Sequence, residues 1–135
     1  MKRVALSAIT AAALTGAAAS ALAADNKEPN RECGVSTPEI VDCINEKTAY
    51  WDKRLNAAYA EALKAAEPKQ REQLRKAQRL WVQYRDANCT YYFMGEGTIA
   101  RIEAADCTYR MTRARAEELA NGGAGPDNPG NEDRD

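Results

Sequence analysis

The sequence contains no histidine. That absence removes the Ser-His-Asp triad, the Cys-His dyad, every His-ligated metal site and the usual side chain that titrates near neutral pH. Only carboxylates, lysine, tyrosine and cysteine remain for acid–base work, so an enzyme is disfavoured from the start. The Cys-x-x-Cys spacing of a thiol redox centre or zinc site is also missing, because the cysteines stand at 33, 43, 89 and 107. No metal or cofactor is implied. There is no excess of basic charge, with 19 Lys+Arg against 20 Asp+Glu in 135 residues, which argues against a general nucleic-acid binder. Long apolar runs are absent except for one, at the N-terminus.

That run, Val4 to Ala24, follows Lys2 and Arg3 and contains Ala21-Leu22-Ala23 at its end. A positive start, a short apolar stretch and a small-x-small site predict a signal peptide over residues 1–23, cleaved after Ala23. Ser7, Thr10, Thr15, Gly16 and Ser20 interrupt the run and make it a poor membrane anchor. No cysteine follows the cleavage site to carry a lipid, and Lys2-Arg3 is not a twin-arginine signal. The expected location is periplasmic or secreted, with no stable membrane insertion after cleavage. Loss of Lys2 and Arg3 takes the net charge from −1 to −3. Four cysteines in a small exported chain predict two disulfides. Three connectivities are possible. The local one pairs Cys33 with Cys43 and Cys89 with Cys107, each worth about 3 kcal/mol in the chain-entropy model.

Residues 24–32 are polar and read as a flexible lead-in. Residues 121–135 are rich in Gly, Pro, Asn and Asp and read as a disordered tail. Between them, residues 33–120 make one small domain. Ser36 or Thr37 can cap a first helix, Pro38 suits its first turn, and Glu39 meets the positive end of its dipole. Ile40, Ile44, Trp51, Leu55, Tyr59, Ala62 and Leu63 form an apolar stripe along it. Pro68 ends it and opens a second helix to Tyr92, with Leu74, Ala77, Trp81 and Tyr84 as its stripe and Leu80 beside them. Gly95-Glu96-Gly97 breaks that helix, and Thr98 can cap a third from Ile99 to about Ala120. No segment alternates as a strand. The prediction is an all-α fold, a small antiparallel three-helix bundle stapled by two disulfides.

Some polar residues inside these helices form a recognisable order. Leu55-Asn56-Ala57-Ala58-Tyr59 is followed by Ala77-Gln78-Arg79-Leu80-Trp81-Val82-Gln83-Tyr84-Arg85-Asp86-Ala87-Asn88-Cys89. Then come Gly95-Glu96-Gly97-Thr98, Cys107, and Thr112-Arg113-Ala114-Arg115 with Leu119. The order resembles the lysozyme inhibitor LprI-like family of small exported helical proteins, over about Cys33 to Leu119. The family pattern is LNxxY, AQRxWxxYRDxxC, a glycine-rich turn, Cys, and TxxRxxxL. The resemblance implies a disulfide-bonded helical fold, an envelope or secreted location and, through the member that gave the family its name, inhibition of lysozyme. This chain departs from that lipoprotein in lacking a lipidation cysteine, and it carries Glu96 between the two glycines of the turn.

Two groups of residues are candidates for function. Asn56, Gln78, Arg85 and Asp86 are expected to form a polar cluster, read as an interhelical network that fixes packing, with a binding site as the alternative. Trp51, Tyr59, Trp81 and Tyr84 are read as core. Lys69, Arg71, Arg75, Lys76, Arg79 and Arg85 bias the second helix towards positive charge, read as a solvated face. The second candidate is the turn itself. Tyr91, Tyr92, Phe93 and Met94 lead into Gly95, Glu96, Gly97 and Thr98, between Cys89 and Cys107. A braced loop carrying aromatics is a partner-binding element, whose residues are taken as Tyr91, Tyr92, Glu96, Gly97 and Thr98. The alternative is that the aromatics fold back over the end of the bundle. Glu103, Asp106, Glu117 and Glu118 sit at helical spacings but match no catalytic motif. The function expected is an exported binding protein that inhibits lysozyme or a related muramidase. The other reading is an envelope interaction module with no lysozyme target.

Overall fold

The computed structural model describes residues 27–122. The expected leader over 1–23 and all but the first two residues of the tail over 121–135 lie outside the described residues. Three helices follow in order: α1 (Thr37–Ala65), α2 (Pro68–Phe93) and α3 (Ile99–Ala120). Both α1 and α2 pack on α3 and barely touch each other. The molecule is a small helical bundle built around its last helix, with α2 antiparallel to both neighbours.

Local chemistry fixes the ends. Ser36 has extended backbone and caps α1, with its Oγ accepting from the Glu39 N–H at 3.4 Å. The Glu39 carboxylate accepts in return from the Ser36 N–H at 3.0 Å, which completes a capping box. These bonds from the Ser36 side chain and backbone hold the Glu39 carboxyl below the usual glutamate range. A depressed pKa stabilises the fold above the unfolded value, and that contribution is lost as pH falls through the folded one. Ser36→Ala removes the cap and is expected to lower the urea midpoint at neutral pH. Its deficit should shrink as pH drops through the acidic range. At the other end, Arg71 donates from Nε to the Leu63 carbonyl at 2.8 Å and from a terminal nitrogen to the Ala66 carbonyl at 2.9 Å. One arginine of α2 thus satisfies carbonyls that α1 leaves without helical partners.

Trp51, Leu55, Ala116 and Leu119 are the buried centre, and Tyr59, Leu74, Trp81 and Tyr109 pack around it. Arg54 and Arg113 lie over the Trp51 ring at 5.3 and 5.1 Å from its centroid. Bonds to Glu117 and Tyr109 strengthen the Arg113 charge and raise its pKa. Burial, reinforced by its hydrogen bond to Glu28, pushes the Tyr109 hydroxyl up. That hydroxyl donates to Glu28 at 2.6 Å, and Arg31 pairs with Glu46 at 2.8 Å. Both bonds tie the segment before α1 to the bundle. The disulfides are Cys33–Cys43 and Cys89–Cys107, the local pairing.

Two expectations are corrected. Tyr84, read as core, is 61 % exposed. Thr98 makes no side-chain cap bond to α3, because its backbone is already αR (φ −74°, ψ −22°), whereas a cap needs an extended residue. One core residue also lacks a partner. Thr112 is fully buried, and its Oγ1 has no hydrogen bond among the described residues. Thr112→Val removes that hydroxyl at similar volume. It is expected to stabilise the fold by about 1 kcal/mol, which a melt would show as a Tm several degrees higher.

Candidate functional site

The polar residues singled out in the sequence do not come together. Asn56 is exposed on α1 and bonds Asp52 at 3.3 Å, one turn away. Gln78 faces α3 and accepts from Arg115 Nε at 3.1 Å. Arg85 and Asp86 pair with each other at 2.8 and 2.9 Å, and the Arg85 guanidinium lies 5.1 Å from the Trp81 ring centroid. Gln78–Arg115 joins α2 to α3, and Arg85–Trp81 lies within α2. The carboxylates of α3 are similarly occupied: Asp106 pairs with Arg110, Glu117 with Arg113 and Glu118 with Arg115. Among the described residues no group of three or more acidic or cysteine side chains is placed to hold a metal. None of their helices is long and apolar enough to cross a membrane.

The turn between α2 and α3 is different. The sequence-predicted loop residues Tyr91, Tyr92, Glu96, Gly97 and Thr98 sit together at one end of the molecule, and all are exposed. The Cys89–Cys107 bridge joins the two helices beneath them, with 5.5 Å between its Cα atoms. Gly97 has a φ of +76°, the left-handed conformation that glycine takes without strain. A Cβ on Gly95 would stand 3.2 Å from the Tyr92 carbonyl oxygen, a tight contact, so the turn requires glycine at 97 and favours it at 95. Gly95 donates its N–H to that carbonyl at 3.1 Å, and Arg101 donates to the Thr98 carbonyl at 3.2 Å. The turn opens directly into the N-terminus of α3, the positive end of its dipole, which favours anionic groups.

The aromatics divide between two tasks. Tyr92 leans back against the bundle, where it lines a shallow groove with Asn88, Cys107, Arg110, Met111 and Ala114. Tyr91 meets the Tyr92 ring edge-on at 5.4 Å. Tyr91 and Met94 are 73 % and 79 % exposed, and Phe93 and Ile99 are exposed with them. The groove at Tyr92 is about 220 Å³. That is smaller than the roughly 300–1,000 Å³ of small-molecule sites. The tip instead offers exposed apolar side chains on a disulfide-braced turn, a kind of surface found at macromolecular interfaces. Residues missed by sequence reasoning are Leu80 and Tyr84, also exposed, which extend the apolar surface along α2. Their strict three-and-four spacing with Ala77, Ala87, Tyr91 and Met94 is the signal that could have found them.

Residues 29–119 match the model of the family described as Lysozyme inhibitor LprI. No curated protein and no solved structure matches the chain. The match spans more than half of the sequence, and it takes in all four cysteines, all of α1 and α2, and all but the last residue of α3. The chain belongs to the Lysozyme inhibitor LprI family.

Proposed function

We propose that this protein is exported, loses residues 1–23, and inhibits a lysozyme by binding it through the α2–α3 tip. Family membership supports the target. The exposure of Tyr91, Phe93 and Met94 on a disulfide-braced turn supports the surface. Inhibition of this kind needs no chemistry. Lysozyme cleaves glycan with two carboxyl groups set in a cleft, one of them kept protonated. A protein that fills the cleft excludes substrate. On this reading the aromatic side chains enter the cleft, and the N–H groups at the start of α3 with the Thr98 hydroxyl meet its carboxyl groups. Glu96 lies on the rim, where basic groups of the partner would pair with it. A rigid turn loses little conformational entropy on docking, which is why the bridge below it matters.

The expected signature is specific to the tip. Tyr91→Ala and Thr98→Ala should each weaken inhibition of the target lysozyme by about tenfold or more, the usual scale of a central interface side chain. Asn56→Ala, at the outer face of α1, should leave it unchanged. Inhibition constants measured for the three variants, with helicity checked by circular dichroism, test the assignment. Equal effects at Asn56 and Thr98 would contradict it.

A further inference from the structure

The longest feature left unused by the tip is the apolar seam on α2. Ala77, Leu80, Tyr84, Ala87, Tyr91 and Met94 recur at spacings of three and four, the a/d pattern of a helix that packs against another helix. From Leu80 onwards every one of them is exposed. None of the six belongs to the core cluster, and none lines the groove where Tyr59 and Leu63 of α1 face Arg75, Gln78 and Val82 of α2. The seam is a helix-packing face without a helix on it. It runs for about 26 Å, or roughly two and a half heptads.

We infer that a second copy of this chain covers the seam, antiparallel, with its own α2. The side chains are arranged for that occupant. An antiparallel pairing with its dyad between Tyr84 and Ala87 maps the seam onto itself. Ala77 then meets Met94 of the second copy, Leu80 meets Tyr91, and Tyr84 meets Ala87. Each layer sets a larger side chain against a smaller one, as interdigitated cores do. A parallel pairing sets Tyr84 against Tyr84 and Tyr91 against Tyr91. The charges favour the same register. Lys76 flanks one end of the seam and Glu96 the other, and neither forms an ion pair among the described residues. The antiparallel dyad brings Lys76 beside Glu96 of the second copy, twice. This surface is self-complementary, as a two-fold interface must be. The pairing also covers Tyr91 and Glu96, so the paired form withholds the tip from other proteins and dilution releases it.

Sedimentation velocity of the oxidised, exported protein tests the pairing by mass action, from about 200 µM downwards. A dimer at high concentration that dissociates on dilution is expected. Tyr84→Glu should raise the dissociation constant by more than about tenfold by burying charge at the dyad. Lys76→Glu and Glu96→Lys should each weaken the dimer, and the double variant K76E/E96K should restore it. That restoration separates a lost pairing from a lost fold. A monomer throughout the range overturns the inference and leaves the seam to another protein or to a lipid surface. A dimer that Tyr84→Glu does not weaken overturns it equally. Neither result bears on lysozyme inhibition, which is read separately with dilute protein.

Discussion

Trp51→Ala is expected to cost about 3–5 kcal/mol, the range for removing a large aromatic side chain from a packed core. Trp51 is only 8 % exposed and stands at the centre of the cluster with Leu55, Ala116 and Leu119. Its loss would open a cavity between α1 and α3, the largest interface of the bundle. It would also strip Arg54 and Arg113 of the ring they stack on. A small domain has about 5–15 kcal/mol in total, so the variant should melt far below the parent or be unfolded at room temperature. Trp51→Phe keeps most of the apolar volume and removes an indole N–H that is buried without a partner among the described residues. It should recover much of the stability. Denaturant midpoints for the two variants check this. Equal losses would show that the indole contributes something other than packing.

Removing a disulfide should have the second large effect, and the two bridges should separate by function. In the chain-entropy model, loops of 10 and 18 residues differ little, and each bridge is worth about 3 kcal/mol. Cys33→Ala with Cys43→Ala frees the segment before α1, far from the tip in sequence. Cys89→Ala with Cys107→Ala frees α2 from α3 directly beneath the tip. Both double variants are expected to lose similar stability in urea. Only the second should lose inhibition under conditions where the protein remains folded, because the turn then docks from many conformations rather than one. Melting curves and inhibition constants measured on the same samples give both halves of the prediction.

Helix limits were legible in the residues because each one has a local cause. Ser36, Pro38 and Glu39 start α1, Pro68 restarts the chain as α2, and Gly95 with Gly97 separates α2 from α3. The face by which α2 meets α3 was legible only in part. Leu74, Ala77, Trp81 and Tyr84 make a plausible buried stripe by spacing alone. The structure packs Leu74 and Trp81 of that stripe on the core, turns Gln78, Asn88 and Cys89 towards α3 beside them, and leaves Tyr84 in solvent. Spacing could not show this, because the inward face is partly polar. Gln78 is satisfied there by Arg115, which no local pattern announces. The same cause scattered the expected cluster: Asn56, Gln78 and Arg85 sit at helical positions whose partners are set by tertiary packing. The tip was legible because it combines a rare composition with a covalent frame. Four bulky residues before a two-glycine turn, between two cysteines, left few other arrangements. Its orientation was open from sequence, and the structure divides it: Tyr92 leans back while Tyr91, Phe93 and Met94 stand out.

Lysozyme binding by the tip is tested most directly by titrating the oxidised protein, without residues 1–23, into c-, g- and i-type lysozymes. Cell-wall hydrolysis and direct binding would be read on the same samples. Saturable, stoichiometric loss of activity is expected for at least one type, abolished by reducing the disulfides. Folded protein that neither binds nor inhibits any of the three would contradict it.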